Sequence, residues 1–298
     1  MSNIKLENLE IDGYHIYQDK TNFNFGIDAV LLANFALNQS GILNIKQKKY
    51  DKKSVDTENA KCTSELSIKI CDFCSGTLPI PLIIYAKSNK SGNIEGDKVN
   101  TNTFEHSSTI HIDAFEIDKD QAELSEKSIQ WNKENVSNAK SIDEDMTIYN
   151  DDIKNIFLDK GKYKSFYEMY DVVTVNPPYT KKGSGILNLT DKKIIARHEI
   201  SVTFDDICRA ANLILKSNKK FYFIHKSNRF TEIVSTLKKY SFALKKVAFI
   251  HPYVDKEANL FLAEAVKNAR EDIKILEPVI IYEKPLVYTK KVLEIYGK

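Results

Sequence analysis

A mainly parallel α/β sheet flanked by helices is predicted by three features of this chain. Short apolar runs rich in β-formers recur at 68–73, 110–115, 171–175 and 220–224. Longer stretches of helical composition separate them, which is how parallel strands are joined. The first three runs end in turn-forming or acidic residues: Cys74-Ser75-Gly76, Glu116 and Asn176-Pro177-Pro178. That is the end of the strand at which open α/β sheets bind ligands.

Composition sets the bounds. With 298 residues, 42% of them hydrophobic and 28% charged, the chain is ordinary globular material, long enough to bury a sizeable core. No apolar run approaches the roughly 20 residues that span a bilayer. Met1–Glu7 lacks the apolar stretch of a secretory signal, so a cytoplasmic location without a membrane role is expected. Four cysteines are too few for a secreted framework. Cys71 and Cys74 have C-x-x-C spacing, but Cys62 and Cys208 are far apart and supply no second pair. Cys71 also lies inside a strand-like run, not at a helix start, so neither a metal nor a redox role is expected.

Charge is uneven. From Lys181 to Lys246 there are fifteen Lys and Arg against five Asp and Glu, a local charge of +10. That leaves −8 for the rest of a chain whose net charge is +2. The excess fits a polyanionic partner such as nucleic acid, or else a set of solvated helix faces.

In chain order, a short strand is expected around Tyr14–Gln18. Asp28 is placed as the N-cap of a helix over the apolar run that follows, with Phe25 stapling its start and Gly26 between them. This is either a lid over a cofactor or a structural helix. Residues 44–67 and 88–108 are polar, without period, and read as surface insertions. Between them, strand Ile68–Phe73 leads through Asp72 and the small-residue turn Cys74-Ser75-Gly76-Thr77 into a helix over Leu78–Ala86. Pro79 and Pro81 fall in its first turn, where proline is tolerated. The unit opens a nucleotide-binding fold or is a plain β-α turn.

The next unit, Ile110–Glu116, ends in an acid and is followed by a helix capped by Asp118 through about Trp131. Glu116 stands where a ribose is gripped, or simply complements a helix dipole. Met146–Tyr149 is a short strand. Asn150-Asp151-Asp152 follows, where an acid accepts from an adenine amine or caps the segment Ile153–Leu158. Downstream, helices are expected near Phe204–Leu215 and Arg229–Tyr240, strands at Lys220–Ile224, Ala243–Ile250 and Leu260–Lys267, the last two as a hairpin, and an extended segment at Val279–Tyr282.

The fourth strand, Asp171–Val175, runs into Asn176-Pro177-Pro178-Tyr179. Two prolines end any ladder and fix the backbone. An Asn side-chain oxygen beside a backbone carbonyl makes a pair of acceptors for the two N–H bonds of a planar amine, and the Tyr179 ring can stack on a flat base. The alternative is a strand exit with a Pro-Pro stop.

These stretches resemble the class I S-adenosylmethionine-dependent methyltransferases that carry an N-P-P-Y turn, and among them the bacterial tRNA(Val) adenine-N6 methyltransferase family. The resemblance rests on Asn24–Ala33, Cys71–Thr77, Phe115-Glu116-Ile117, Val175–Tyr179 running into Lys182-Gly183-Ser184-Gly185, Ile195–Glu199, His225–Arg229 and Tyr288-Thr289. It implies a Rossmann-like, mainly parallel seven-stranded sheet with an antiparallel C-terminal hairpin. Residues 1–298 would form one methyltransferase domain, with 1–40 covering the cofactor. It implies methyl transfer to the N6 amine of an adenosine in tRNA, in the anticodon loop of a valine tRNA. S-adenosylhomocysteine would be the product. Asn176, Pro177, Pro178 and Tyr179 would be catalytic. Phe25, Gly26, Asp28, Asp72, Cys74, Ser75, Gly76, Glu116, Asp152 and Asn176 would hold the cofactor. Tyr179, Lys181, Lys182, Arg197, His198 and Arg229 would face the tRNA.

The chain departs from the family at Leu78, where a further glycine is usual. A side chain there is expected to crowd the cofactor. Two alternatives follow: glutamine-N5 methylation of a release factor, which uses the same turn, and an RNA-binding protein that kept the fold and lost cofactor affinity. The enzymes of the first alternative carry a helical domain before the cofactor turn, and the residues preceding Asp72 here do not read as one. Oligomeric state is open, with a monomer as the working expectation.

Overall fold

The computed structural model of the chain describes residues 3–20, 25–40, 67–89, 110–159, 161–178 and 202–298. An N-terminal hairpin of β1 (Ile4–Asn8) and β2 (His15–Asp19) precedes helix α1 (Ile27–Ser40). Then come β3 (Ile68–Phe73), α2 (Pro79–Ser88), β4 (Ile110–Phe115), α3 (Lys119–Asn135), the short helix α4 (Ile142–Asp145), β5 (Met146–Tyr149), the short helix α5 (Asn155–Leu158) and β6 (Tyr170–Val175). The C-terminal part holds α6 (Phe204–Ile214), β7 (Leu215–Lys226), α7 (Phe230–Lys239), β8 (Phe242–His251) and β9 (Leu260–Lys267).

Strands β5, β4, β3, β6 and β7 lie side by side and parallel. β8 and β9 form an antiparallel hairpin, and β9 slots between β7 and β8. The seven long strands therefore run in the order β5-β4-β3-β6-β7-β9-β8, the mainly parallel sheet with a C-terminal hairpin expected from the sequence. Two-residue strands β10 (Lys274–Ile275) and β11 (Val279–Ile280) pair along the far side of β8.

Alternation along the strands builds two apolar layers, because successive side chains point to opposite faces. Ile70, Ile112, Val172, Tyr222 and Leu262 face one core with α1 and α2. Cys71, Phe73, Phe115, Val173, Phe221 and Phe261 face the other with α5, α6 and α7. Helix α2 is buried along nearly its whole length, with Lys87 the half-buried exception. Helix α6 starts at a capping box in which the Thr203 hydroxyl accepts from the Asp206 N–H at 3.2 Å and Asp206 Oδ2 accepts from the Thr203 N–H at 3.0 Å.

Buried charge pins α1 to the sheet. Glu264 on β9, 3% exposed, accepts from the Tyr222 hydroxyl at 2.7 Å and pairs with Lys220 and Lys246, each at 3.3 Å. The same two lysines donate to the Gln39 carbonyl and to Gln39 Oε1 in the last turn of α1, so cations complement the negative end of the helix.

Three expectations need correction. Asp28 is not an N-cap: α1 begins at Ile27, so Asp28 lies in its first turn. An acid there is favourable for the dipole reason instead. β7 is twelve residues long, starting at Leu215 and reaching Lys226, well past Lys220–Ile224 at both ends. Its polar first half pairs irregularly with β6 and is held by Asp171, which receives Lys216 and Lys219 at 3.0 Å each. The N-terminal strand is half of a hairpin whose second strand docks on α3. Asn132 Oδ1 accepts from the His15 N–H, Asn132 Nδ2 donates to the His15 carbonyl, and Ser128 Oγ accepts from the Tyr17 N–H.

The C-terminus adds β12 (Tyr282–Lys284), β13 (Val287–Tyr288) and α8 (Lys290–Ile295), whose N-cap Thr289 accepts from the Val292 N–H. Rings of Tyr253, Tyr282, Tyr288 and Tyr296 follow one another at 5.7, 5.2 and 5.9 Å between centroids. The two polar insertions, 44–67 and 88–108, fall almost wholly outside the described residues.

Candidate active site

Strand register brings the candidate residues together. Phe73 lies opposite Phe115 on one side and Val175 on the other, and Phe115 lies opposite Tyr149. The residues that follow these four, Cys74, Glu116, Asn150 and Asn176, therefore leave the sheet at one level. They span three strand spacings, about 14 Å. β3 continues to β4 and β5 on one side while β6 and β7 lie on the other. The crevice between β3 and β6 is thus the point where strand order reverses, the usual ligand site of an open α/β sheet.

The turn after β3 is tight and left-handed at three positions: Cys74 (φ 54°), Gly76 (φ 54°) and Leu78 (φ 74°). Gly76 suits this for two reasons. Its φ favours glycine, and a Cβ there would meet Gln121 Oε1 of α3 at 3.2 Å. The turn is tied by Ser75 N–H to the Phe115 carbonyl at 3.0 Å, Leu78 N–H to the Ser75 carbonyl at 2.9 Å and Ser125 Oγ to the Gly76 carbonyl at 3.0 Å.

Glu116 joins this turn to the second strand. Buried to 5% exposure, it accepts from the Gly76 N–H through Oε2 and from the Asp118 N–H through Oε1, both at 2.8 Å. Each oxygen has a second lone pair, so the same carboxylate can also take two hydroxyls. Asp118 caps α3 by accepting from the Asp120 and Gln121 N–H groups. Asn150 Nδ2 donates to the Glu116 carbonyl at 2.9 Å. Beneath the row, the Phe115 ring stacks on Tyr149 at 5.1 Å and meets Tyr163 edge-on at 5.2 Å.

Beyond Asn150, the two acids of Asn150-Asp151-Asp152 divide their tasks. Burial alone would raise the Asp151 carboxyl. Hydrogen bonds from Lys162, Tyr163 and Asn155 outweigh it and hold the group down at about 2. Asp151 is thereby a structural anchor. Asp152, half-buried, accepts from the Lys154 N–H at 2.9 Å and pairs with Lys154 Nζ at 3.2 Å. It does not cap α5, whose N-cap is Lys154. Burial raises the Cys74 thiol well above its ordinary range, and the carboxylates of Glu116, Asp72 and Asp152 add to the rise. Three of the acids singled out in the sequence thus converge on one side chain.

Asp72 is the most unusual of them. It is 1% exposed, its Oδ1 accepts from the Thr174 hydroxyl across the β3–β6 pair, and its Oδ2 has no hydrogen-bond partner among the described residues. Burial pushes its carboxyl up to about 7, against the lowering effect of the Thr174 and Ser75 hydroxyls, and Glu116 raises it further. Thr174 is a participant missed in the sequence. The readable signal was a hydroxyl inside an otherwise apolar buried run, Val172-Val173-Thr174-Val175.

Leu78 has a left-handed backbone, and its side chain is fully buried in the core shared by α1, α2 and β3. We expect a side chain so placed to leave the turn open. Leu78→Gly should relieve about 1 kcal/mol of backbone strain but lose a buried leucine. The expected net is about 2–3 kcal/mol of destabilisation in urea unfolding, with affinity for S-adenosylmethionine changed less than about threefold. A large gain in affinity would restore the crowding account.

Asn176 is half-buried, Pro177 is buried and Pro178 is half-buried. Phe25 is half-buried and Gly26 exposed ahead of α1, with the Gly26 carbonyl accepting from the Ala29 N–H at 3.2 Å. Arg229 follows the C-terminal end of β7. Its guanidinium binds Glu232 at 2.6 Å and stands 3.4 Å from His225 Nε2. Burial, helped by Arg229, holds the His225 imidazole down at about 4, so it is neutral at pH 7. Tyr179, Lys181, Lys182, Arg197 and His198 lie outside the described residues.

The basic excess is partly compensated where it is described. Lys216 and Lys219 meet Asp171, Lys220 and Lys246 meet Glu264, Lys238 meets Glu271, Lys239 meets Asp205 and Lys245 meets Asp272. Five acids, four of them outside the basic stretch, thus face these seven lysines. Among the described residues, no cluster of His, Cys, Asp and Glu could hold a metal ion, and no helix is long and apolar enough to cross a membrane.

No family profile matches the chain. Among curated proteins, the tRNA1(Val) (adenine(37)-N6)-methyltransferase of Aliivibrio salmonicida is 31% identical over 99 residues, which is 32% of this chain and 40% of that protein. The match thus spans under half the length of that relative. A predicted O-methyltransferase from Agrobacterium tumefaciens superposes with a TM-score of 0.57 at 16% identity, covering 91% of this chain and 95% of that one. A structure described as a methyltransferase complexed with SAH superposes at 0.50 with 10% identity, covering 89% and 56%. With the strand order above, these likenesses establish the class I methyltransferase fold.

Proposed function

We propose that the chain is an S-adenosylmethionine-dependent methyltransferase acting on the exocyclic N6 amine of an adenosine in tRNA, with the anticodon loop of a valine tRNA as its substrate. The observation that carries this reading is the register pair Phe73–Val175, which sets the Asn-Pro-Pro turn directly beside the left-handed turn of β3. The activity of the Aliivibrio relative supports the base and the tRNA.

The residues suit the cofactor. Glu116 offers two oxygens for ribose hydroxyls, Asp152 an acceptor for an adenine amine, and Asp72 a buried oxygen that lacks a partner among the described residues, with the Glu116 carboxylate near enough to raise its carboxyl. Such surroundings favour a ligand that brings positive charge. When bound, the cofactor would supply a methyl group made electrophilic by its sulfonium.

The chain's own task is to aim an amine. An aromatic amine's lone pair is delocalised into its ring. Asn176 Oδ1 and the Pro177 carbonyl would accept its two N–H bonds and favour a pyramidal nitrogen with the lone pair directed at the methyl. Positioning of this kind is worth up to ~7–11 kcal/mol of barrier. An adenosine in a loop is already unpaired and can be splayed out cheaply. The half-exposed tyrosine series from Tyr253 lies past the C-terminal end of β8, on the same sheet edge as Asn176, and offers ring surface to neighbouring bases.

The test is calorimetric titration with S-adenosylmethionine and S-adenosylhomocysteine. The expected result is binding in the micromolar range for both. A folded sample that binds neither at millimolar ligand, with or without tRNA, would support the catalytically silent alternative.

A further inference from the structure

Three observations bear on the protonation of Asp72, which the methyl-transfer reading leaves open. Its Oδ2 is fully buried without a partner among the described residues, its Oδ1 is fixed by the Thr174 hydroxyl, and no cation among those residues neutralises it. The groups around it are neutral or acidic. Thr174 faces it from β6, Glu116 from the end of β4, and Ser75 and Cys74 from its own turn. Cys71 shares its strand. Asp28 is the acid in the first turn of α1, and the first turn of α2 carries none. An ionised carboxylate so placed is costly, because burial removes water and nothing charged replaces it.

We infer that the Asp72 carboxyl, positioned by Thr174, carries a proton in the free protein and releases it to solvent when the positively charged cofactor binds. The inference rests on the cofactor assignment above. The ligand brings an ammonium and a sulfonium into a site whose buried carboxyl is neutral without them. A cation within reach favours the carboxylate, so binding and deprotonation are linked. The sign follows: below the free-state value of about 7, each binding event releases a proton and affinity rises with pH. Above it the carboxyl is already ionised and the dependence flattens. The limiting slope is about tenfold in affinity per pH unit. Thr174 acts through Asp72 as a positioning residue, since its hydroxyl steadies the ionised form.

The experiment is calorimetric titration of the full chain with S-adenosylhomocysteine and S-adenosylmethionine at pH 6, in buffers of different ionisation enthalpy. At this pH the ligand's amino group, like other α-amino groups of pKa about 7.7–8.0, stays protonated. With S-adenosylmethionine the expected result is close to one proton released by wild type and none by Asp72→Asn, and S-adenosylhomocysteine, whose thioether sulfur is uncharged, should release less. In Thr174→Val the linkage should persist to higher pH. In parallel, carbon-13 spectra of the unaltered protein should show one aspartate carboxyl titrating near neutrality, moving sharply down when ligand is added. This readout needs no variant to fold. Binding without proton release, or equal release from Asp72→Asn, overturns this inference and leaves the cofactor assignment standing. Absence of binding to either ligand overturns both.

Discussion

Asn176→Ala is expected to lower methyl transfer by about a thousandfold or more while leaving affinity for S-adenosylmethionine within a few-fold. The size follows from what the side chain does. Asn176 leaves β6 at the level of Cys74, where the left-handed turn of β3 begins, and Pro177 and Pro178 remove its freedom to move. Deleting its oxygen would take away one of the two acceptors proposed to orient the amine, and the other side-chain acceptors at that level, Glu116 and Asn150, stand two and three strands away. Single-turnover transfer measured beside cofactor titration separates the two quantities. Loss of cofactor binding in step with activity would show that Asn176 shapes the cofactor site and does not aim the amine.

Glu116→Ala should do the opposite. Cofactor affinity is expected to fall by about a hundredfold or more, because the two charge-assisted hydrogen bonds proposed to the ribose would be lost, each worth ~1.5–3 kcal/mol. The loss has a second source. The Glu116 carboxylate holds the Gly76 and Asp118 N–H groups at 2.8 Å, so its removal frees the left-handed turn as well. Glu116→Gln keeps one acceptor oxygen and should lie between. Titration with S-adenosylhomocysteine, with circular dichroism confirming the fold, checks both variants. An affinity within threefold of wild type in Glu116→Ala would move the ribose elsewhere.

The sheet was legible because its strands are short apolar runs between turn signals. Leu260–Lys267 and Met146–Tyr149 are read to the residue. What escaped depended on partners far along the chain. β1 has little apolar alternation, and the free edge of its partner β2 is satisfied by Ser128 and Asn132, more than a hundred residues away. The basic stretch is less one-sided than it reads, because Asp171, Glu264, Glu271 and Asp272 come to it from elsewhere in the chain. Leu78 shows the same limit in the backbone. A left-handed leucine reverses the direction of its side chain, and no periodicity announces a positive φ. At the candidate site, residue types and strand ends were readable. The contact from Thr174 to Asp72 was not, because it needs the β3–β6 register.

The most direct measurement is nucleoside mass spectrometry of unmodified tRNA incubated with the purified chain and S-adenosylmethionine carrying a deuterated methyl group. The account predicts deuterated N6-methyladenosine, confined to the anticodon loop of valine tRNA and missing with Asn176→Ala. Label on any other nucleoside position, on a release-factor glutamine offered in the same assay, or on nothing at all from a cofactor-binding sample would contradict it.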